Sequence, residues 1–151
     1  MPNYEVTMQR TLSASLSVGC LTAATATLRR FKVYSMTFSS EATPAEVAVL
    51  WLAGRITAAG TSTAVTPKPK DMADAATGTV GGQNHTIEAT YTAGETMYSN
   101  AVHQRATVRW VARDDQDMIV CPATNAAGLG VKTPTLNGGT PVGTLDIGYI
   151  D

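Results

Sequence analysis

Apolar and polar residues alternate with a period of two along most of this chain, the spacing of strands that have one face on a core. From Tyr4 to Arg10, Tyr4, Val6 and Met8 oppose Glu5, Thr7 and Gln9, and this predicts a first strand. Thr11 to Leu21 alternates again, with Leu12, Ala14, Leu16, Val18 and Cys20 on one face. Phe31 to Ser39 carries apolar groups on both faces, the pattern of a strand covered on each side. Asn84 to Thr92 sets His85, Ile87, Ala89 and Tyr91 against Thr86, Glu88 and Thr90. Gly94 is expected to turn the chain, and Met97 to Val102 to form a short strand. Asn137-Gly138-Gly139 turns it again, and Val142 to Ile150 closes it with Leu145, Ile147 and Tyr149 on one face.

The strictest alternation lies past His103. Ala106, Val108, Trp110 and Ala112 point one way, and Arg105, Thr107, Arg109, Val111 and Arg113 the other. The polar run Arg113 to Asp117 is expected to reverse the chain into a returning strand, Met118 to Cys121, stopped by Pro122. The prediction is a hairpin with a buried Trp110 and a row of three arginines on its far face. On a regular strand those arginines would stand about 13 Å apart in succession.

Two stretches depart from this pattern. Thr43-Pro44-Ala45-Glu46 carries a helix-start signature, with a capping Thr, Pro at the first helical position and Glu three residues after the cap. A helix begun there would stop at Gly54. The β-formers Val47, Val49, Trp51 and Ile56 favour instead one helical turn near residues 44–47 and then a strand to Thr57. Residues 58–83 are rich in Thr, Ala, Gly and Pro, with an extended Pro67-Lys68-Pro69-Lys70, and read as a surface excursion or arm. Together these segments predict one all-β domain over residues 1–151, an antiparallel β-sandwich or jelly-roll-like barrel of about eight strands.

Composition narrows the function. Charged residues make up 15% of the chain against 44% hydrophobic, and such charge-poor surfaces are common where proteins pack on neighbours. A formal net charge of −1 argues against a nucleic-acid partner. The N-terminus lacks a basic head before an apolar core, and the longest apolar run, Val47 to Ala53, is too short to cross a bilayer. The expectation is a protein made in the cytoplasm, with no membrane partner. Cys20 and Cys121 sit singly in strand-like runs and read as buried free thiols.

Candidate chemistry is sparse. His85 and His103 have no metal-ligand spacing around them, and Asp114, Asp115 and Asp117 lack the Gly and Glu of a calcium loop. No serine has a nucleophile-elbow pattern, and the glycines from Gly78 to Gly82 are followed by no phosphate-binding lysine. The expectation is a protein without enzymatic activity, cofactor or metal. Arg105, Arg109 and Arg113 are candidate interface residues, since guanidinium groups pair bidentately with a partner's carboxylates. A solvated face paired within the chain to Glu88 or an Asp is the alternative. Pro67, Lys68 and Lys70 are the candidates on the arm.

The phrases GTSTAVTP (Gly60–Pro67), NHTIEATYT (Asn84–Thr92), QRATVRWVA (Gln104–Ala112) and PATNAAGLGVKTPT (Pro122–Thr135) resemble the capsid decoration, or cement, proteins of tailed bacteriophages. The resemblance is one of phrasing over most of the chain and rests on no single motif. It implies a β-sandwich or jelly-roll subunit on the outside of the virion, commonly a homotrimer, that clamps neighbouring copies of the major capsid protein. The first strand and the 58–83 arm would then supply the reaching contacts. A carbohydrate-binding module displayed on the virion, or a tail or connector component, is the alternative reading.

Overall fold

A computed structural model describes residues 1–151 and contains twelve strands and no helix. In chain order they are β1 (Asn3–Thr11), β2 (Gly19–Ala23), β3 (Phe31–Glu41), β4 (Ala48–Ala58), β5 (Thr61–Val65) and β6 (Lys68–Pro69). There follow β7 (Thr79–Ile87), β8 (Thr90–His103), β9 (Val108–Val111), β10 (Ile119–Cys121), β11 (Gly128–Leu136) and β12 (Val142–Ile150). The first sheet is built on β3-β12-β1, with β6 beyond β1 and both β9 and β10 on the open edge of β3. The second runs β5-β7-β2-β11-β4-β8. The two antiparallel sheets pack face to face as a β-sandwich.

The alternating positions explain the packing. On β1, Tyr4, Val6 and Met8 are buried while Glu5, Thr7 and Gln9 are exposed, and Leu145, Ile147 and Tyr149 of β12 join them from the next strand. These residues belong to one core cluster of 20 buried side chains drawn from both sheets. Its aromatic centre is Phe38, with ring centroids 5.1 Å from Trp51 and 5.6 Å from Tyr98. Each large side chain removed from water here contributes roughly 1.5–3 kcal/mol.

Residues 58–83 are woven into both sheets. Thr61 pairs with Ile87 and Ala58 with Thr90, so the arms 48–65 and 79–103 pair along their lengths and bend together. The bend curls the second sheet on itself, and β2 and β11 span the distance between β7 and β4. Gly60 turns the inner arm with a φ of 68°, at a place where a side chain would strike the Ile87 and Glu88 carbonyls. Beyond the bend the chain crosses to the first sheet, where Lys68 and Pro69 pair with Glu5 and Tyr4. Half of the stretch expected to be an arm is therefore strand, and Pro67 is buried.

Four local expectations are corrected. The alternating run from Thr11 to Leu21 is not one strand: β1 ends at Thr11, residues 12–18 carry the chain from one sheet to the other, and β2 starts only at Gly19. No helical turn forms at 44–47, because the Ala45 N–H is taken by Gln104 Oε1 at 2.7 Å and the Thr43 hydroxyl donates to the Thr140 carbonyl at 3.2 Å. Gly94 does not reverse the chain: it lies inside β8, in a bulge where Ile56 faces Tyr91 and Gly54 already faces Thr96. The hairpin at 106–121 is absent as well. β9 pairs with Ser35–Phe38 and β10 with Phe31–Val33, so the two run end to end along β3, and residues 112–118 loop out between them. The fully buried indole is Trp51, whereas Trp110 is half-buried beside Tyr98.

Candidate functional site

The bend of the second sheet encloses a polar cluster assembled from four segments. Arg10, at the end of β1, donates from one guanidinium nitrogen to the Ser17 carbonyl at 3.1 Å and the His85 carbonyl at 3.0 Å. The Glu88 carboxylate accepts from both the backbone N–H and the hydroxyl of Ser17, and Ser17 Oγ lies 2.8 Å from the Tyr91 hydroxyl. His85, buried at 1% exposure, has Nε2 3.0 Å from the Ala59 carbonyl, while Nδ1 has no partner. Burial lowers the His85 pKa because it penalises the imidazolium, and it raises that of the Tyr91 phenol.

A serine, a histidine and a glutamate in one cluster invite comparison with a hydrolytic triad. The connectivity does not fit one. Ser17 is bonded to the carboxylate and the phenol, and the imidazole points to a main-chain carbonyl, so the histidine does not stand between serine and carboxylate as it does in such a triad. The cluster acts as a strut between the 12–18 crossing and the start of β8. Sequence spacing did not mark it, because its members come together only when the two arms bend.

The arginine row dissolves in three dimensions. β8 ends at His103 and a turn follows, held by the buried Gln104, which also donates to the Gly138 carbonyl at 2.8 Å. Arg105 sits in that turn and pairs with Glu46, which lies 3.4 Å from His103 as well. Arg109 is on β9, exposed and without an ion-pair partner. Arg113 lies in the 112–118 loop and forms a two-point pair with Asp117, which raises the guanidinium pKa and lowers that of the carboxyl. On β6, Lys68 is exposed, and Lys70 just beyond it lies 3.1 Å from Glu5, the contact that raises its pKa.

Besides a small hollow of about 70 Å³ beside Ala59, Ser62 and Gly82, two larger depressions mark the surface. A cleft of about 300 Å³ opens at the β8 bulge, between Tyr91, Thr92, Glu95 and Lys132. Its charges are engaged within the chain: Lys132 Nζ sits 4.1 Å above the Tyr91 ring, and Arg55 is 3.1 Å from Glu95. The second, about 430 Å³, lies on the outer face of the first sheet, with Tyr34, Val111, Ala112, Met118 and Ile150 as its apolar lining. Arg113, Asp114 and Asp115 stand at its rim, and Asp114 caps its own turn by accepting from the Gln116 N–H at 2.8 Å. Burial pushes the Cys20 thiol up to about 11 and that of Cys121 to about 12, so both stay protonated and unreactive at neutral pH. No protein-family model and no curated protein matches the chain.

Proposed function

We propose that this protein is a structural component of a tailed-phage virion that binds the outer surface of the capsid and clamps neighbouring major capsid subunits, self-associating as a homotrimer. The observation that carries the reading is the set of large apolar side chains held out from a charge-poor, firmly packed sandwich. Met72 is 96% exposed, Ile87 62% and Val111 50%, on a chain with 15% charged residues. The likeness in phrasing to decoration proteins supplies the partner. A subunit of this kind makes modest contacts with the shell, and trimerisation multiplies them through effective concentration. Binding only to the expanded shell stabilises that state by mass action.

Deleting residues 61–80 would be a poor test of the contacts expected from the arm, since they include all of β5 and β6 and the start of β7. The direct test is to pellet expanded and unexpanded shells of the parent virus with the purified chain. Saturable co-sedimentation with expanded shells alone is expected, and no pelleting with either kind refutes the proposal. A glycan array run alongside separates the carbohydrate-binding alternative, which requires glycan binding without pelleting.

A further inference from the structure

The connection from β11 to β12 carries a chemical weak point. Asn137 is followed by Gly138 and Gly139, all three exposed and outside any strand. The glycines have positive φ values of 110° and 72°, and a Cβ at Gly138 would meet nothing within 4 Å. The Gly138 N–H has no main-chain partner. With no side chain on the following residue, that nitrogen has an open approach to the carbonyl carbon of the Asn137 amide. The other asparagines are shielded. Asn3, Asn84 and Asn100 lie within β1, β7 and β8 and precede Tyr4, His85 and Ala101, whose side chains crowd the nitrogen. Asn125 is bridged to Ala23, accepts from the Thr25 hydroxyl at 3.0 Å and precedes Ala126.

The same turn is tied to the interior through Gln104, which is 1% exposed. Gln104 Nε2 donates to the Gly138 carbonyl at 2.8 Å, and Oε1 accepts from the Ala45 N–H at 2.7 Å. Its main chain accepts from the Ser40 hydroxyl and donates to the Val47 carbonyl. We infer that Asn137 is a site of spontaneous deamidation, and that the isoaspartyl product formed there releases the turn from Gln104. The Gly138 nitrogen gives its proton to base in solution and bonds to Asn137 Cγ. The Cγ–Nδ2 bond breaks, ammonia leaves with a proton from solvent, and a cyclic succinimide remains. Water opens the ring at either carbonyl. Attack at the side-chain carbonyl leaves aspartate at position 137. Attack at the main-chain carbonyl leaves isoaspartate, with the chain running through Cβ and Cγ. The net change exchanges an amide and water for a carboxylic acid and ammonia, without oxidation or reduction. Both products add a negative charge to a chain of net charge −1. Isoaspartate also lengthens the main chain by one carbon just before the carbonyl that Gln104 holds. The inference does not depend on what the protein binds.

The test ages the full chain in warm, mildly alkaline buffer. Ion exchange, peptide mass mapping and labelling by an isoaspartyl methyltransferase follow the products. A more acidic form should accumulate with an equal amount of ammonia, map to the peptide containing Asn137 and accept the methyl label. Asn137→Gln should lose that form, since the longer side chain closes the corresponding ring far more slowly. The purified isoaspartyl chain should unfold at a lower urea midpoint than the fresh chain, whereas fresh Asn137→Asp, which changes charge alone, should match the wild type. No acidic form at Asn137, or the same form in Asn137→Gln, overturns the site. An isoaspartyl chain with the urea midpoint of the fresh protein overturns the release from Gln104.

Discussion

Replacing Glu88 by alanine probes the strut that ties the 12–18 crossing to the bent arms. The carboxylate accepts two hydrogen bonds from Ser17, one from the backbone N–H and one from the hydroxyl. Ser17 is 0% exposed, so water cannot reach it to replace them without the loop moving. Hydrogen bonds to a charged group contribute about 1.5–3 kcal/mol each. Glu88 itself is half-buried, and solvent screens part of that, which leaves an expected loss of about 3 kcal/mol. For a chain of this size that lowers Tm by roughly 6–12 °C, taking about 2–4 °C per kcal/mol. Glu88→Gln keeps one acceptor oxygen and loses the charge, and should cost about half as much. Urea unfolding followed by tryptophan fluorescence measures both variants, with the slope against urea unchanged because the native fold is kept. The double variant with Ser17→Ala should lose less than the sum of the single losses, since either change alone breaks the bond between the Ser17 hydroxyl and the carboxylate. A Glu88→Ala protein within about 0.5 kcal/mol of the wild type, or strict additivity with Ser17→Ala, would refute the strut.

Three further outcomes are expected. Burial holds the folded-state pKa of His85 below its unfolded value, so the stability contributed by the neutral ring is complete above about pH 6.5 and is lost as pH falls through and below that value. Urea midpoints measured from about pH 8 to about pH 5 should fall more steeply for the wild type than for His85→Gln. Cys20 and Cys121, both buried with raised pKa values, should resist a thiol reagent in the native state and react at once in denaturant; rapid native labelling would contradict their placement. Gly130→Ala places a Cβ 2.6 Å from Ile56 Cγ2 and 2.7 Å from the Tyr91 hydroxyl oxygen, and should lower stability by about 1–3 kcal/mol in the same urea assay.

The period-two pattern identified which side chains face the core and left open which strands pair. Tyr4, Val6 and Met8 are buried as their alternation requires, and so are Leu145, Ile147 and Tyr149. Even at 108–111 the parity is right, with Val108 and Trp110 inward and Arg109 and Val111 exposed. The hairpin failed on a different question. A polar run such as Arg113 to Asp117 can reverse a chain or loop out of a continuing one, and local composition is the same in both cases. What decides is β3, an eleven-residue edge long enough to receive β9 and β10 in succession. The 58–83 stretch was missed for a related reason. Its strands turn a corner, so Gly81 and Gly82 sit where alternation would put larger residues; a Cβ at Gly81 would stand 2.9 Å from Val6 Cγ2.

The same corner explains why the polar strut was invisible in the sequence. Arg10, Ser17, His85, Glu88 and Tyr91 share no spacing, and a half-buried carboxylate and guanidinium are costly unless each is satisfied. They are satisfied only because both arms bend at the same register, Ala58 with Thr90 and Thr61 with Ile87, which brings Glu88 to Ser17 and the His85 carbonyl to Arg10. A bend displaced by one residue would leave Ser17 unpaired and turn His85 to the outer face. Specific polar pairing at the bend and unspecific apolar packing in the sandwich therefore do different work. The packing buries the large apolar side chains of both sheets, and the hydrogen bonds of the strut are met in the register that pairs Ala58 with Thr90 and Thr61 with Ile87.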